Sequence, residues 1–146
     1  MTTPAITSFT GEHRFLSNFY EEPVRIGSIE YQTAEHAYQS AKCFYESDAC
    51  AVRSAYTPGA AKRLGQHVQL VPGWEESKRR VMLKVVTAKF LSNPELASRL
   101  LQTGDAELIE GNTWGDAYWG VCDGRGANYL GRILMVTRDA VRLLSE

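Results

Sequence analysis

Apolar positions along the chain fall into short runs separated by polar, glycine-marked and proline-marked breaks. "AITSF" (5–9) and "PVRIGSIEY" (23–31) have β-type character, the second broken at Gly27-Ser28 by a turn. Between them "GEHRFLSNFYEE" mixes aromatic and polar residues without a period and reads as an ordered loop. Thr33 is placed to cap a helix running from Ala34 to Tyr45, Ser47 to cap a second through Tyr56, and Pro58 opens a short third, "PGAAKRLGQ". The strongest helical period spans Trp74 to Leu91, where Val81 with Val85, and Met82 with Val86 and Lys89, recur at three-to-four spacing before Asn93-Pro94 ends the run. Pro94 begins "PELASRLLQTG", with an apolar side of Leu96, Leu100 and Leu101 and a stop at Gly104. "AELIEG" reads as a short strand. "NYLGRILMVTRDAVRLLSE" is a closing helix whose core candidates are Leu130, Ile133, Leu134, Val141 and Leu144. These elements predict a helix-dominated α+β fold, one compact domain over 1–146, with a small antiparallel sheet drawn largely from the N-terminal third.

Composition narrows the function classes. A chain of 146 residues with 44% hydrophobic residues suits one ordinary globular core. Sixteen basic residues against seventeen acidic ones exclude a bulk nucleic-acid binder, so any such contact is expected to be local. Three cysteines, Cys43, Cys50 and Cys122, are an odd number without paired spacing and point to reduced thiols in a cytoplasmic setting. "MTTPAITSF" lacks the basic and apolar regions of a signal peptide, and no apolar run reaches membrane-spanning length. The three histidines are too scattered for a metal set, and no GxSxG, zinc-like spacing or CxxC is present.

Two stretches hold candidate chemistry. In "TAEHAYQSAKCFY" a rotation of about 100° per residue puts Glu35, Gln39 and Lys42 on one stripe beside an apolar stripe of Ala34, Tyr38, Ala41 and Tyr45. An acid, an amide and an amine so aligned could form a catalytic ridge, but periodicity alone favours an exposed face of ordinary charges. His36, between the stripes, reads as a structural hydrogen-bonder. In "GNTWGDAYWGVCDGRG" Trp114 and Trp119 flank Asp116 among glycines that permit tight turns. Aromatic faces stack on heterocycles, and a carboxylate stabilises positive charge developing on a sugar ring. The glycines of "DGRGANYLG", ahead of a helix start near Asn128, suit a phosphate cradle; core tryptophans in a turn-rich loop suit the segment equally well. Trp74, after Pro72-Gly73, reads as core on sequence grounds. Ser17-Asn18 is either a polar binding turn or a cap.

Four segments together resemble the NADAR (YbiA-like) family: "FLSNFY" at 15–20, "YQTAEHAYQSAKCF" at 31–44, "WEESKRRVMLKVVTAKF" at 74–90 and "WGDAYWGVCDGRGANYLGRILMVTR" at 114–138. They occur in family order and span nearly the whole chain. The resemblance implies hydrolysis of N-glycosidic bonds without metal or organic cofactor. It implies two substrate classes: ADP-ribose on the amino group of guanine, in nucleic acid or nucleotide, and ribosylamino pyrimidine phosphates of riboflavin biosynthesis. Both join a ribose carbon to an exocyclic amine. Such a sugar can open to an imine, so the resemblance makes Lys42 the candidate for transimination and Glu35 the proton carrier. In the alternative route Glu35 activates water, Asp116 steadies an oxocarbenium-like transition state and Lys42 holds a phosphate. For binding, the resemblance points to Ser17, Asn18 and Phe19, to Gly124, Gly126 and Asn128 near ribose and phosphates, and to Trp119 and Trp74 against the base. A toxin-type ADP-ribosyltransferase is the implied counterpart of the first substrate. A reading of another class, a non-catalytic module for NAD or ADP-ribose, leaves the paired acid and amine without a use.

Overall fold

A computed structural model describes residues 3–146; Met1 and Thr2, at the head of the segment scanned for a leader, lie outside them. The described residues form a helix-rich α+β fold with two small two-stranded sheets. It divides into two compact units, one formed by Asn18–Ser92 and one by the chain up to Ser17 together with Asn93–Glu146. Among the described residues no helix is long and apolar enough to cross a membrane.

In the unit of Asn18–Ser92, β1 (Val24–Ile26) pairs antiparallel with β2 (Ile29–Tyr31), with Ile26 opposite Ile29. Gly27 supplies the positive φ, 62°, that the turn requires. Helix α1 (Ala34–Ala41) follows, with Thr33 accepting the His36 N–H as the expected N-cap. Then come α2 (Glu46–Arg53), α3 (Pro58–Gly65), capped by Thr57, and the long α4 (Trp74–Leu91). Helix α1 packs against α2, α3, α4 and β2, so every residue from Thr33 to Ser40 is buried. One apolar cluster gathers Val24, Ala34, Ala37 and Val85; another gathers Cys43, Ala49, Val52, Ala55 and Ala61.

Several expectations are corrected here. Helix α1 ends at Ala41 rather than Tyr45, because residues 42–44 turn to pair with 69–71: Val71 donates to the Lys42 carbonyl and Phe44 to the Gln69 carbonyl. Ala41 and Tyr45 are therefore exposed instead of extending the apolar stripe. Helix α2 starts at Glu46 without a side-chain cap from Ser47 and stops at Arg53. The Arg53 and Ala55 carbonyls are taken by the Gln32 amide, and Ala55 also accepts from His36, which draws this stretch onto α1 and its approach.

The other unit opens with a 3-10 helix, Gly11–Leu16, where the aperiodic pattern read as loop; Gly11 at φ 56° allows the entry. "AITSF" forms no strand; Ile6 alone bridges Leu108 in parallel, and "AELIEG" contributes little more than that bridge. The second sheet is instead the parallel pair β3 (Gly111–Asn112) and β4 (Val121–Cys122), inside the glycine-rich segment. Helix α5 (Pro94–Gln102), capped by Asn93, packs on α6 (Tyr129–Leu144). Leu96, Leu100, Leu130, Leu134 and Val141 are buried as expected, but Leu144, in the last turn of α6, is 71% exposed.

Candidate active site

A helix surrounded on all sides must satisfy every polar group it carries. Helix α1 carries Glu35, His36, Gln39 and Ser40, none more than 7% exposed. The ridge is therefore not the solvated charged face that its periodicity allowed. His36 is fully engaged: one ring nitrogen lies 2.8 Å from the Thr33 hydroxyl and the other 3.0 Å from the Ala55 carbonyl. A carbonyl only accepts, so Nε2 carries the proton and Nδ1 accepts from Thr33. Ser40 donates to the Ala37 carbonyl at 3.1 Å. Both residues are structural.

Glu35 and Gln39 are different. The Gln39 amide donates to Glu35 Oε1 at 3.0 Å, while Gln39 Oε1, also buried, accepts no hydrogen bond. The backbone N–H of Glu35, one of the orphan donors of the first helical turn, is taken by the Asn18 carbonyl at 3.0 Å. Asn18 itself is buried, and its amide contacts Met82 Sδ on α4 at 3.3 Å. The "SNF" turn is thus fastened to the start of α1, and the Lys62 ammonium of α3 lies over the adjacent Phe19 ring at 5.9 Å.

Lys42 occupies the C-cap of α1 in helical conformation, so its half-buried side chain follows the α1 surface back, its ammonium 5.8 Å from the Tyr38 ring centroid. Burial pushes its pKa below the ordinary 10.5; the Glu35 carboxylate pulls it upward, and the Lys78 cation adds to the lowering. Tyr38 in turn packs on Trp74, centroids 5.4 Å apart at 52°. Trp74, 5% exposed, begins α4, and one turn on Lys78 pairs with Glu75 at 2.7 Å. The structure thus brings Asn18, Glu35, Lys42 and Trp74 together around α1. Gln39, left as one member of the ridge, proves to be the direct neighbour of the acid; its spacing of four from Glu35 is the signal that was available.

In the other unit the aspartate–tryptophan loop is built by its own side chains. Asp116 Oδ1 accepts the Tyr118 and Trp119 amides at 3.0 and 2.9 Å, and Asn112 exchanges bonds with the Asp116 backbone, Nδ2 to O at 2.8 Å and N to Oδ1 at 3.0 Å. Asn112 went unnoticed in the sequence, although an Asn four residues before an Asp in a glycine-rich loop suits such a turn. Trp114 is 64% exposed and Trp119 half-buried against Tyr118, at 4.8 Å edge to face, so neither is a core tryptophan.

Four amides at the start of α6 are already bonded. Those of Ala127, Asn128, Tyr129 and Leu130 donate to the carbonyls of Ala117, Gly120, Tyr118 and Trp119. Asn128, at φ 54°, accepts the Glu110 N–H with Oδ1 and donates to the Leu108 carbonyl with Nδ2. Gly124 and Gly126 are exposed; a Cβ on Gly126 would lie 2.1 Å from the Gly120 carbonyl oxygen, so only glycine fits. Ser17, half-buried, closes the 3-10 helix through its N–H to Arg14. No group of three or more His, Cys, Asp or Glu among the described residues is arranged to hold a metal ion.

Comparison with known proteins adds the following. The NADAR domain family model matches residues 7–142. N-glycosidase YbiA of Escherichia coli (strain K12) is 34% identical over 139 residues, covering 93% of this chain and 86% of that protein. A riboflavin biosynthesis protein of Vibrio vulnificus is 38% identical over 133 residues, covering 89% of this chain but 36% of that one. The NMR structure of the E. coli protein YbiA superposes with a TM-score of 0.89 at 33% identity, covering 99% of this chain and 89% of that one.

Proposed function

The chain belongs to the NADAR domain family, and from that premise we propose that it is an N-glycosidase cleaving the bond between a ribose carbon and an exocyclic amine, with Lys42 as nucleophile and Glu35 as proton carrier. The observation that carries the reading is the pairing, on α1, of a buried carboxyl with an amine whose basicity burial lowers. An ammonium is no nucleophile; desolvation enlarges the neutral fraction that is.

The steps balance as follows. Glu35, protonated, delivers its proton to the ring oxygen as the nitrogen lone pair opens the sugar, leaving C1′ doubly bonded to the base nitrogen. The Lys42 amine adds to C1′. A proton moves from the lysine nitrogen through Glu35 to the base nitrogen, the C1′–N bond to the base breaks, and the free base amine departs. Water then adds to the lysine imine, and collapse releases the sugar aldehyde and restores the amine. In the alternative route Glu35 activates water directly and no bond to Lys42 forms.

Guanine carrying ADP-ribose on its amino group is the substrate proposed first, and an ADP-ribosyltransferase is the counterpart it implies. The net charge of −1 accords with recognition confined to the phosphates of the ADP-ribose. Ribosylamino pyrimidine phosphates are the second reading, favoured by the riboflavin-named relative. Incubation with an ADP-ribosylated guanine oligonucleotide and, separately, with the pyrimidine phosphate, scored by release of free base or amine, distinguishes them. Glu35→Gln is expected to lose about a hundredfold or more in rate on the true substrate. Wild-type turnover by that variant overturns the assignment. Borohydride during turnover is expected to trap an adduct on Lys42, and its absence selects the direct-water route.

A further inference from the structure

Gln39 holds an unusual position. Its side chain is 4% exposed, its Nε2 donates to Glu35 Oε1 at 3.0 Å, and its Oε1 is buried without a hydrogen-bond partner. A carboxylate takes only donors, so the amide cannot turn its oxygen to Glu35 while that residue is ionised. The oxygen must therefore face the opposite way, where α3 lies. There α3 presents Gly65, buried at the end of the helix. A Cβ on Gly65 would stand 2.0 Å from Gln39 Oε1, 2.9 Å from its Cδ and 3.3 Å from its Cβ. Gly65 has no positive φ to explain it; the absence of a side chain matters for space alone.

We infer that Gln39 is the positioning residue of the Glu35 carboxyl, and that Gly65 on α3 is what leaves its amide room to hold the donating orientation. The inference rests on the reading of Glu35 as the proton carrier and names what aims it. An amide donor holds one carboxyl oxygen in place and stabilises the carboxylate that remains once Glu35 has delivered its proton. The buried oxygen without a partner is the cost of that orientation, retained because turning the amide would set oxygen against oxygen. Any residue larger than glycine at position 65 drives Gln39 Cδ and Oε1 out of place and reaches Glu35 through them. Lys42 is the charge coupled to Glu35 from α1 itself. The neighbouring elements contribute Lys62 on α3, Lys78 with Glu75 and Lys89 on α4, and the Arg53–Glu46 pair on α2, all retained in every variant below.

The test is a double-mutant cycle with pH profiles. Gln39→Ala removes the two atoms that a methyl at position 65 would strike, and Gln39→Met keeps the volume without the donor. Each is expected to lower kcat about tenfold with KM nearly unchanged. Each is also expected to move the alkaline limb of kcat/KM, where Glu35 loses the proton it must deliver, upward by about one pH unit, the scale of one lost hydrogen bond to a charged group. Gly65→Ala is expected to do the same. The double variant Gly65→Ala with Gln39→Ala is expected to be no worse than Gln39→Ala alone, because the two act through one contact. Additive losses, or an alkaline limb that stays in place while only thermal stability falls, overturn the inference. Glu35→Gln, run alongside, separates the two claims: if it is inactive while Gln39→Met keeps the wild-type profile, the positioning role fails and the Glu35 assignment stands. If Glu35→Gln keeps full turnover, both fall together.

Discussion

Asn128 allows a stability effect to be worked from the coordinates. It sits at φ 54°, is 8% exposed, and spends its side chain on two bonds, from Glu110 N–H at 3.0 Å and to the Leu108 carbonyl at 2.9 Å. Asn128→Ala deletes both. Glu110 is half-buried and water reaches it in part, so each lost bond is set at the low end, about 1 kcal/mol. The left-handed backbone costs an alanine about 1 kcal/mol more. The sum is about 3 kcal/mol, or a fall in Tm of roughly 10 °C for a chain of this size. Asn128→Gly loses the same two bonds but tolerates the backbone, and should cost about 2 kcal/mol. Urea unfolding followed by far-ultraviolet circular dichroism measures both. The order matters as much as the size. A glycine variant no more stable than the alanine variant, or both within about 0.5 kcal/mol of wild type, the range usual for surface substitutions, would refute the reasoning that Asn128 joins the start of α6 to residues 108–110.

Three further outcomes are expected. Lys42→Met should abolish imine trapping while raising Tm at neutral pH, because it removes a cation that burial disfavours. The lowered folded pKa means the unfolded chain binds more protons between that value and 10.5, so wild-type stability rises with pH across the window and the advantage of methionine should shrink there, as melting from pH 7 to 10.5 would show. His36→Ala should destabilise by about 3 kcal/mol in chemical unfolding, from two buried hydrogen bonds and a cavity. Asp116→Ala should speed hydrogen exchange at the Tyr118 and Trp119 amides that its Oδ1 accepts, whereas Asp116→Asn should preserve their protection; a loss of turnover in the asparagine variant with protection intact would assign a role to the charge itself.

What the chain revealed in advance follows from how local each determinant is. Helices α4 and α5 were legible because their periods are long and the Asn93-Pro94 pair both stops one and caps the next, Asn93 Oδ1 accepting the Leu96 N–H at 3.1 Å. The hairpin was legible through Gly27, since the turn and its backbone requirement lie within a few residues. The end of α1 was not. It is set by pairing with residues 69–71, remote in sequence, which overrides a helical pattern continuing to Tyr45. The β3–β4 pair escaped notice for a related reason: two residues per strand carry no alternation to read, and the register is held by contacts such as Val121 N–H to the Glu110 carbonyl. In the candidate site, the stripe of Glu35, Gln39 and Lys42 was readable from rotation, but whether it faced water or protein was not, because that depends on α2, α3 and α4 closing around it.

Burial of that stripe supplies a criterion that periodicity lacks. Polar side chains inside α1 impose a desolvation cost that only hydrogen bonds offset. Thr33, His36 and Ser40 meet it with well-formed bonds to one another or to nearby carbonyls, and each makes the helix more stable than a bare polar residue would. Gln39 does not meet it, since its oxygen stays unmatched while its nitrogen serves Glu35, and Lys42 does not, since burial works against its charge. A helix selected for stability alone would carry apolar residues of similar volume at 35, 39 and 42. On the function proposed for the chain, the cost of holding an acid, an amide bonded to it and a destabilised amine along one stripe is recovered in the reaction. That is why the exposed acids and bases of α4 invite no such argument, although they are more numerous.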